Sequence, residues 1–176
     1  MPLGNLQMSP TIRISALLLL VATLPSCDSV FGPSNKDSSV VFRSSFETEE
    51  SFEVWNGYAI TQYDEPCPSG GMHSAQVSGG CIIPHAYIYL PASNRDRYLS
   101  ISFWARLLGN GGSVDFSIID TASSQSFAIN DTTWTLFQTN EALFCPANHI
   151  PRIQMLSGGI VYGAMLVDLM VVEKVR

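Results

Sequence analysis

The sequence predicts an all-β domain built as a sandwich of two sheets. Residues 98–107, 113–120 and 85–90 alternate between apolar and polar side chains with a period of two. Such alternation places one set of side chains in a core and the other on the opposite face of the strand. Turn-forming residues separate these segments, and no stretch has a convincing helical period. Many short strands joined by turns are typical of a sandwich or a barrel.

The remaining strands are predicted from apolar segments between turns. Asn110-Gly111-Gly112 predicts a hairpin that joins residues 98–107 to residues 113–120. Residues 164–175 are apolar at nearly every position, which indicates a strand that is covered on both faces. The other predicted strands are residues 40–44, 52–62, 74–77, 126–130, 133–140 and 151–156.

Residues 1–26 have the composition of a secretory signal. Arg13 is the only charge before the apolar run 14–24, which is followed by Pro25, Ser26 and Cys27. The run is too short to cross the roughly 30 Å hydrocarbon core of a bilayer. Because it ends at a cysteine, the segment resembles a bacterial lipoprotein signal, which implies that Cys27 becomes the first mature residue and carries the lipid. We therefore expect a protein of the bacterial cell envelope, lipid-anchored to a membrane and facing the periplasm or the outside. The alternative is an ordinary secreted protein.

The mature chain is predicted to have a short linker and one domain. Residues 27–39 are rich in Ser, Asp, Gly and Pro and predict a flexible linker. Residues 40–176 are long enough for one domain with its own core. Removal of residues 1–26 removes Arg13 alone, so 8 Lys and Arg remain against 15 Asp and Glu, a net charge of −7. We expect no nucleic-acid partner, because phosphate contacts need a basic patch.

Three cysteines remain once Cys27 is assigned to the lipid. An oxidising compartment allows disulfides, and an odd number leaves one thiol unpaired. The preferred pair is Cys67–Cys81, which brackets a glycine-rich turn and would stabilise the fold by roughly 3 kcal/mol. Cys145 would then be a buried thiol, and the alternative pair is Cys81–Cys145. No Cys-x-x-Cys occurs, so zinc binding and dithiol redox chemistry have no supporting motif.

Several segments resemble, in order, the carbohydrate-binding modules attached to bacterial cellulases and xylanases. They are Phe46-Glu47 followed by Trp55, the glycine-rich turn and strand at 69–77, the strand at 98–106, Thr133-Trp134-Thr135, and the closing strand with Asp168. The resemblance implies a galactose-binding-like jelly-roll β-sandwich. It also implies a structural Ca²⁺ where the chain ends meet, with Glu47 and Asp168 as ligands and backbone carbonyls completing the shell. Leu169 departs from the family, which often has a second acidic or amide residue there.

The polar side of the alternating strands carries the candidate sugar-binding residues. Aromatic rings offer a flat apolar surface to a pyranose, and polar side chains bind its hydroxyls. We expect six side chains to share one face as carbohydrate-binding residues: Tyr87, Tyr89, Trp104, Arg106, Asp115 and Gln154. Arg152 is a further candidate. The alternative is a covered face, in which the rings pack and Arg106 pairs with Asp115 across two strands.

No motif indicates catalysis. The acidic run Glu47, Glu49, Glu50 and Glu53 is interpreted as a solvated segment and not as half of a glycosidase carboxylate pair. The histidines lack ligand spacing, and no serine lies in a nucleophile motif. The sequence predicts a non-catalytic lipoprotein that binds a glycan or another cell-surface polymer. The alternative is a structural or protein-interaction lipoprotein with no sugar ligand.

Overall fold

The computed structural model describes residues 39–57, 59–78, 85–157 and 163–175. Residues 1–38, which include Cys27 and most of the predicted linker, lie outside the described residues, as does Cys81. The elements in chain order are β1 (Val40–Ser44), α1 (Glu50–Glu53), β2 (Asn56–Gly57), β3 (Ile60–Tyr63), β4 (Ser74–Ser78), β5 (His85–Tyr89), β6 (Arg97–Leu107), β7 (Gly112–Ile118), β8 (Ser124–Ile129), β9 (Thr135–Gln138), β10 (Leu143–Cys145), β11 (Pro151–Ser157) and β12 (Ala164–Lys174).

The strands form two antiparallel sheets. The larger sheet has the order β10-β6-β12-β4-β3, with β1 also paired to β12 and β9 also paired to β6. The smaller sheet has the order β2-β5-β11-β7-β8. The predicted all-β sandwich is therefore confirmed, and alternation within each strand decides which side chains enter the space between the sheets.

The core lies between the two sheets and is dominated by inward-facing apolar side chains. Phe103 of β6 is fully buried and meets Phe127 of β8 edge-on, with ring centroids 5.2 Å apart. Phe103 also stacks on Phe137 of β9 at 5.4 Å. Phe137 is the cross-strand partner of Phe103 within the larger sheet, whereas Phe127 belongs to the smaller sheet. The contact between Phe103 and Phe127 therefore crosses from one layer to the other and helps to fix the distance between them.

Strand β12 contains a β-bulge that directs one buried carboxylate. Trp104 of β6 lies opposite Asp168, but Ser102 lies opposite Val171, so β12 holds one extra residue between these pairs. Leu169 takes up this residue with a φ of 45°, in the left-handed region that leucine rarely adopts. The bulge turns the carboxylate of Asp168 toward the backbone of residues 67 and 169.

Two sequence predictions about this architecture are wrong. Residues 52–62 do not form one strand, because the chain turns through α1, then pairs with the smaller sheet as β2 and with the larger sheet as β3. The side chain of Trp55 enters the core at this crossing, 6 % exposed and packed against Phe42 and Phe46. The hairpin predicted at Asn110-Gly111-Gly112 is also wrong, because the turn joins β6 of the larger sheet to β7 of the smaller sheet. Helix α1 and strand β10 were not predicted, since both are too short to show a period.

Candidate functional site

The outer face of the smaller sheet brings together four of the six predicted sugar-binding residues. Tyr87 of β5, Gln154 of β11 and Asp115 of β7 are direct neighbours in one row across the strands. Tyr89, Arg152 and Ser117 form the next row. Neighbouring strands are about 4.8 Å apart, so each row is short enough for one small ligand to span. We call the outward side chains of these two rows the tyrosine face.

Aromatic rings form a ridge along β5 at one side of the tyrosine face. The rings of His85 and Tyr87 stack with centroids 6.0 Å apart, and Tyr87 meets Tyr89 edge-on at 5.5 Å. Tyr89 is 53 % exposed, although it is a large ring on a strand that is otherwise buried or half-buried. The ridge holds its rings in place by mutual contact and leaves Tyr89 available to a ligand.

A polar cavity of about 420 Å³ lies beside the ridge, at the end of β7, β8 and β11. Arg152, Ser117 and Asp115 from the tyrosine face line it together with the turn residues Asp120 and Thr121. The Nε of Arg152 and the hydroxyl of Ser117 are buried and meet no hydrogen-bond partner among the described residues. Buried polar groups are normally paired, so these two groups have binding capacity that the fold itself does not use.

Trp104 and Arg106 do not belong to the tyrosine face. Both lie on β6 of the larger sheet, on the opposite outer side of the sandwich, so the prediction of a single face with all six residues is wrong. Arg106 pairs with Glu65, donates to the carbonyl of Thr132 at 3.3 Å and covers the ring of Trp134. It therefore joins two loops of the larger sheet and forms no cross-strand pair with Asp115.

Glu47 and Asp168, which lie near opposite ends of the chain, approach the same glycine turn. The carboxylate of Glu47 accepts the N–H groups of Met72, at 3.0 and 3.1 Å, and of His73 at 3.3 Å. Asp168 accepts the N–H groups of Cys67 at 3.0 Å and Leu169 at 2.7 Å. A β-carbon at Gly70 would overlap Asp168, and one at Gly71 would overlap Glu47. Both carboxylates thus pack directly against a backbone that only glycine allows to come so close.

Burial dominates the electrostatics of this turn. The side chain of Asp168 is fully buried, and desolvation raises the pKa of its carboxyl despite the two N–H groups that it accepts. The negative charge of Glu47 acts in the same direction. Burial, with the nearby charge of Asp168, also raises the pKa of the Cys67 thiol to about 11. Two acidic groups are therefore close together with no cation paired to either among the described residues.

Only two of the four cysteines, Cys67 and Cys145, lie within the described residues. Cys67 and Cys145 are buried free thiols, so the predicted Cys67–Cys81 disulfide is not shown. Cys81 and the proposed lipid site Cys27 lie outside the described residues. No helix within the described ranges is long and apolar enough to cross a membrane.

The turn that closes the polar cavity was not among the functional residues predicted from the sequence. Asp120 and Thr121 follow β7, and Asp120 has a φ of 61°, which suits aspartate in a tight turn. A strand of alternating residues that ends in Asp-Thr-Ala-Ser-Ser was the available signal. It predicts a turn, but it does not say which side chains the turn will face.

Comparisons with known proteins agree on the fold. The C-terminal family 22 carbohydrate-binding module of Clostridium thermocellum Xyn10B has a TM-score of 0.56 at 9% identity, over 78% of this chain and 96% of that one. A family 16 carbohydrate-binding module has a TM-score of 0.50 at 14% identity, over 67% of this chain and 89% of that one. The enzymatically active domain of bacteriophage CBA120 tailspike protein 4 reaches 0.59 at 15% identity, over 78% of this chain, which spans only 21% of the tailspike chain.

These likenesses define a class of fold. The chain is an antiparallel β-sandwich that resembles the jelly rolls of carbohydrate-binding modules. No protein-family model matches the sequence, and no curated protein matches it. The chain covers 89% and 96% of these two modules, but only 21% to 29% of the tailspike domain, an arabinofuranosidase and a xylanase that it also resembles.

Proposed function

We propose that this chain is a non-catalytic, membrane-anchored lipoprotein whose sandwich binds a carbohydrate or another cell-surface polymer at the tyrosine face. One observation carries the proposal: the row of Tyr89, Arg152 and Ser117 combines an exposed ring with two buried, unpaired polar groups beside a cavity. The similar fold of two carbohydrate-binding modules supports a sugar as the ligand.

Arg152 is the residue on which the site depends most. The Nε atoms of Arg97 and Arg106 are also unpaired, but each of those arginines bonds through its terminal nitrogens. Among the described residues no carboxylate or carbonyl pairs with any nitrogen of Arg152. A sugar with adjacent hydroxyl groups can accept two N–H bonds from one guanidinium plane, and Asp115 can accept a hydroxyl proton in the same row.

Tyr89 and Tyr87 supply the apolar part of the site. The face of a pyranose that carries C–H bonds is apolar and fits against an exposed ring, while its hydroxyls reach the polar row. Because the rings already contact each other, little side-chain freedom is lost when a ligand binds. Gln154 lies between Tyr87 and Asp115 and can donate and accept hydrogen bonds from the same row.

A calcium ion at Glu47 and Asp168 is part of the proposal. The two carboxylates repel each other, one of them is fully buried, and no cation within the described residues compensates them. The described residues contain no group of three or more His, Cys, Asp and Glu side chains placed to hold a metal. Backbone carbonyls would therefore complete the shell, which suits Ca²⁺ because it accepts six to eight oxygen ligands. The ion would join both chain ends to the glycine turn.

The lipid anchor at Cys27 completes the proposal and can be tested separately. Mass spectrometry of the mature protein purified from bacterial membranes should find an N-terminal cysteine that carries acyl chains. A mature chain that begins elsewhere, or an unmodified Cys27, would reject membrane anchoring while leaving the sugar site untouched.

Sugar binding is tested with a polysaccharide and glycan array probed with residues 28–176. We expect binding to at least one glycan, weakened roughly tenfold to a hundredfold by Arg152→Ala, since bonds to a charged donor contribute about 1.5–3 kcal/mol. Tyr89→Ala should weaken the same signal. Trp104→Ala is the matched control, because it removes a ring from the outer face of the other sheet. Equal binding by all three variants, or no binding to any glycan, would reject the tyrosine face as a sugar site.

A further inference from the structure

A second exposed cluster lies on the outer face of the larger sheet, far from the tyrosine face. Tyr98 of β6 and Phe144 of β10 are paired residues whose rings contact each other, with centroids 5.3 Å apart. Val175 follows β12, and its N–H donates to the carbonyl of Tyr98 at 2.9 Å. The three side chains are 48 %, 40 % and 49 % exposed, respectively. We call them the terminal patch.

The chain enters the domain beside this patch. The carbonyl of Ser39, the first described residue, accepts the N–H of Lys174 at 2.6 Å, and Lys174 immediately precedes Val175. Twelve positions separate Ser39 from Cys27, a length that spans at most roughly 40 Å when fully extended. A lipid on Cys27 would therefore hold the end of the sandwich that carries the terminal patch close to the bilayer.

We infer that the terminal patch rests in the interfacial layer of the membrane to which Cys27 is anchored, an inference that depends on the proposed lipid anchor. Tyrosine is favoured at this depth, because its ring is apolar and its hydroxyl stays hydrated. A patch of three side chains is small, but the anchor makes the contact intramolecular, with an effective concentration of about millimolar.

Charge attraction does not account for this membrane contact. We therefore attribute the contact to the aromatic side chains of the terminal patch. Within the part of the chain that the structure describes, Glu173 and Lys174 are the exposed charges next to Val175 in sequence, and they are opposite in sign. The mature chain carries a net charge of −7 and is not drawn to anionic lipids. The consequence is an orientation: the terminal patch and the tyrosine face lie on opposite outer sides of the sandwich, so membrane contact points the tyrosine face away from the bilayer.

The test uses the full, processed lipoprotein in vesicles of phosphatidylethanolamine and phosphatidylglycerol that contain brominated lipid. Two variants are compared, Tyr98→Trp in the terminal patch and Tyr89→Trp on the tyrosine face. They are matched, because both positions are about half exposed and both rings contact one neighbouring ring. We expect brominated lipid to quench the added fluorescence at least roughly two-fold more in Tyr98→Trp. Phe144→Ser should reduce that difference.

Each outcome decides one part of the inference. Variants that float with the vesicles and are quenched equally would overturn the membrane contact while leaving the anchor intact. Protein that fails to float would overturn both the anchor and the contact. A change in sedimentation caused by Phe144→Ser in detergent would identify a second copy as the occupant of the patch and overturn the membrane contact. The glycan array does not depend on any of these three results. Failure of the proposed sugar site can therefore be distinguished from failure of the membrane contact.

Discussion

Replacement of Asp168 by alanine should destabilise the domain even when calcium is absent. The carboxylate accepts the N–H groups of Cys67 and Leu169, and both would lose their acceptor. A buried N–H without a partner costs roughly 1–3 kcal/mol, and the half-buried N–H of Leu169 lies at the lower end of that range. Loss of a desolvated charge beside Glu47 offsets part of the sum. We expect a net loss of about 2 kcal/mol.

That loss corresponds to a fall of about 8 °C in melting temperature, at about 4 °C per kcal/mol for a domain of this size. Thermal unfolding of residues 28–176, followed by near-ultraviolet circular dichroism in a calcium chelator, gives the measurement. Asp115→Ala is the control, because it removes a half-exposed carboxylate on the other sheet and should change stability by less than about 0.5 kcal/mol. An Asp168→Ala protein as stable as the parent would show that this carboxylate does not hold the glycine turn.

Three further outcomes concern the same turn. In a calcium chelator, lowering the pH toward 4 should stabilise the parent protein relative to Asp168→Asn. The pKa of Asp168 in the folded state lies above its ordinary value of 3.8, so the folded state binds the proton more tightly than the unfolded state does. Denaturant titrations measure this gain in stability, and saturating calcium should remove it. Gly70→Ala should lower the urea midpoint more than Gly71→Ala does. The methyl group at position 70 would overlap the buried carboxylate of Asp168, whereas the one at position 71 meets the end of the Glu47 side chain. Equal midpoints would contradict the close packing at Gly70. Maleimide at pH 8 should label Cys67 and Cys145 only after unfolding, because both thiols are buried and the pKa of the Cys67 thiol is about 11. If Cys67 were labelled only after both unfolding and reduction, the result would support the predicted Cys67–Cys81 disulfide.

Strand positions could be predicted from the sequence where alternation was long enough. Residues 98–107 became Arg97–Leu107, and residues 85–90 became His85–Tyr89, because each carries several inward apolar side chains in a row. Residues 52–62 failed for a physical reason. Their apolar residues serve two sheets and one crossing, so a period-two pattern describes none of them. Gly57 adopts a φ of 106° there, against the carbonyl of His85, which no side chain would allow.

Sheet membership could not be predicted from the same pattern. Trp104 and Tyr87 were both predicted to face outward, and both do, but on opposite sides of the molecule. Alternation shows on which face of its own strand a side chain lies, whereas a binding site depends on which strands become neighbours in a sheet. That choice is made by non-local pairing, which leaves no mark within one strand.

The contrast between Arg106 and Arg152 shows what the structure adds to residue type. Both arginines occupy outward positions on a strand, and both have a buried Nε without a partner. Arg106 is nevertheless committed to the fold through Glu65, a loop carbonyl and an aromatic ring. Arg152 lines a polar cavity with no such commitment, and a buried Nε–H without a partner is costly in the free protein. A ligand that bonds to this group would recover that cost on binding, which is why we propose the ligand site at Arg152 and not at Arg106.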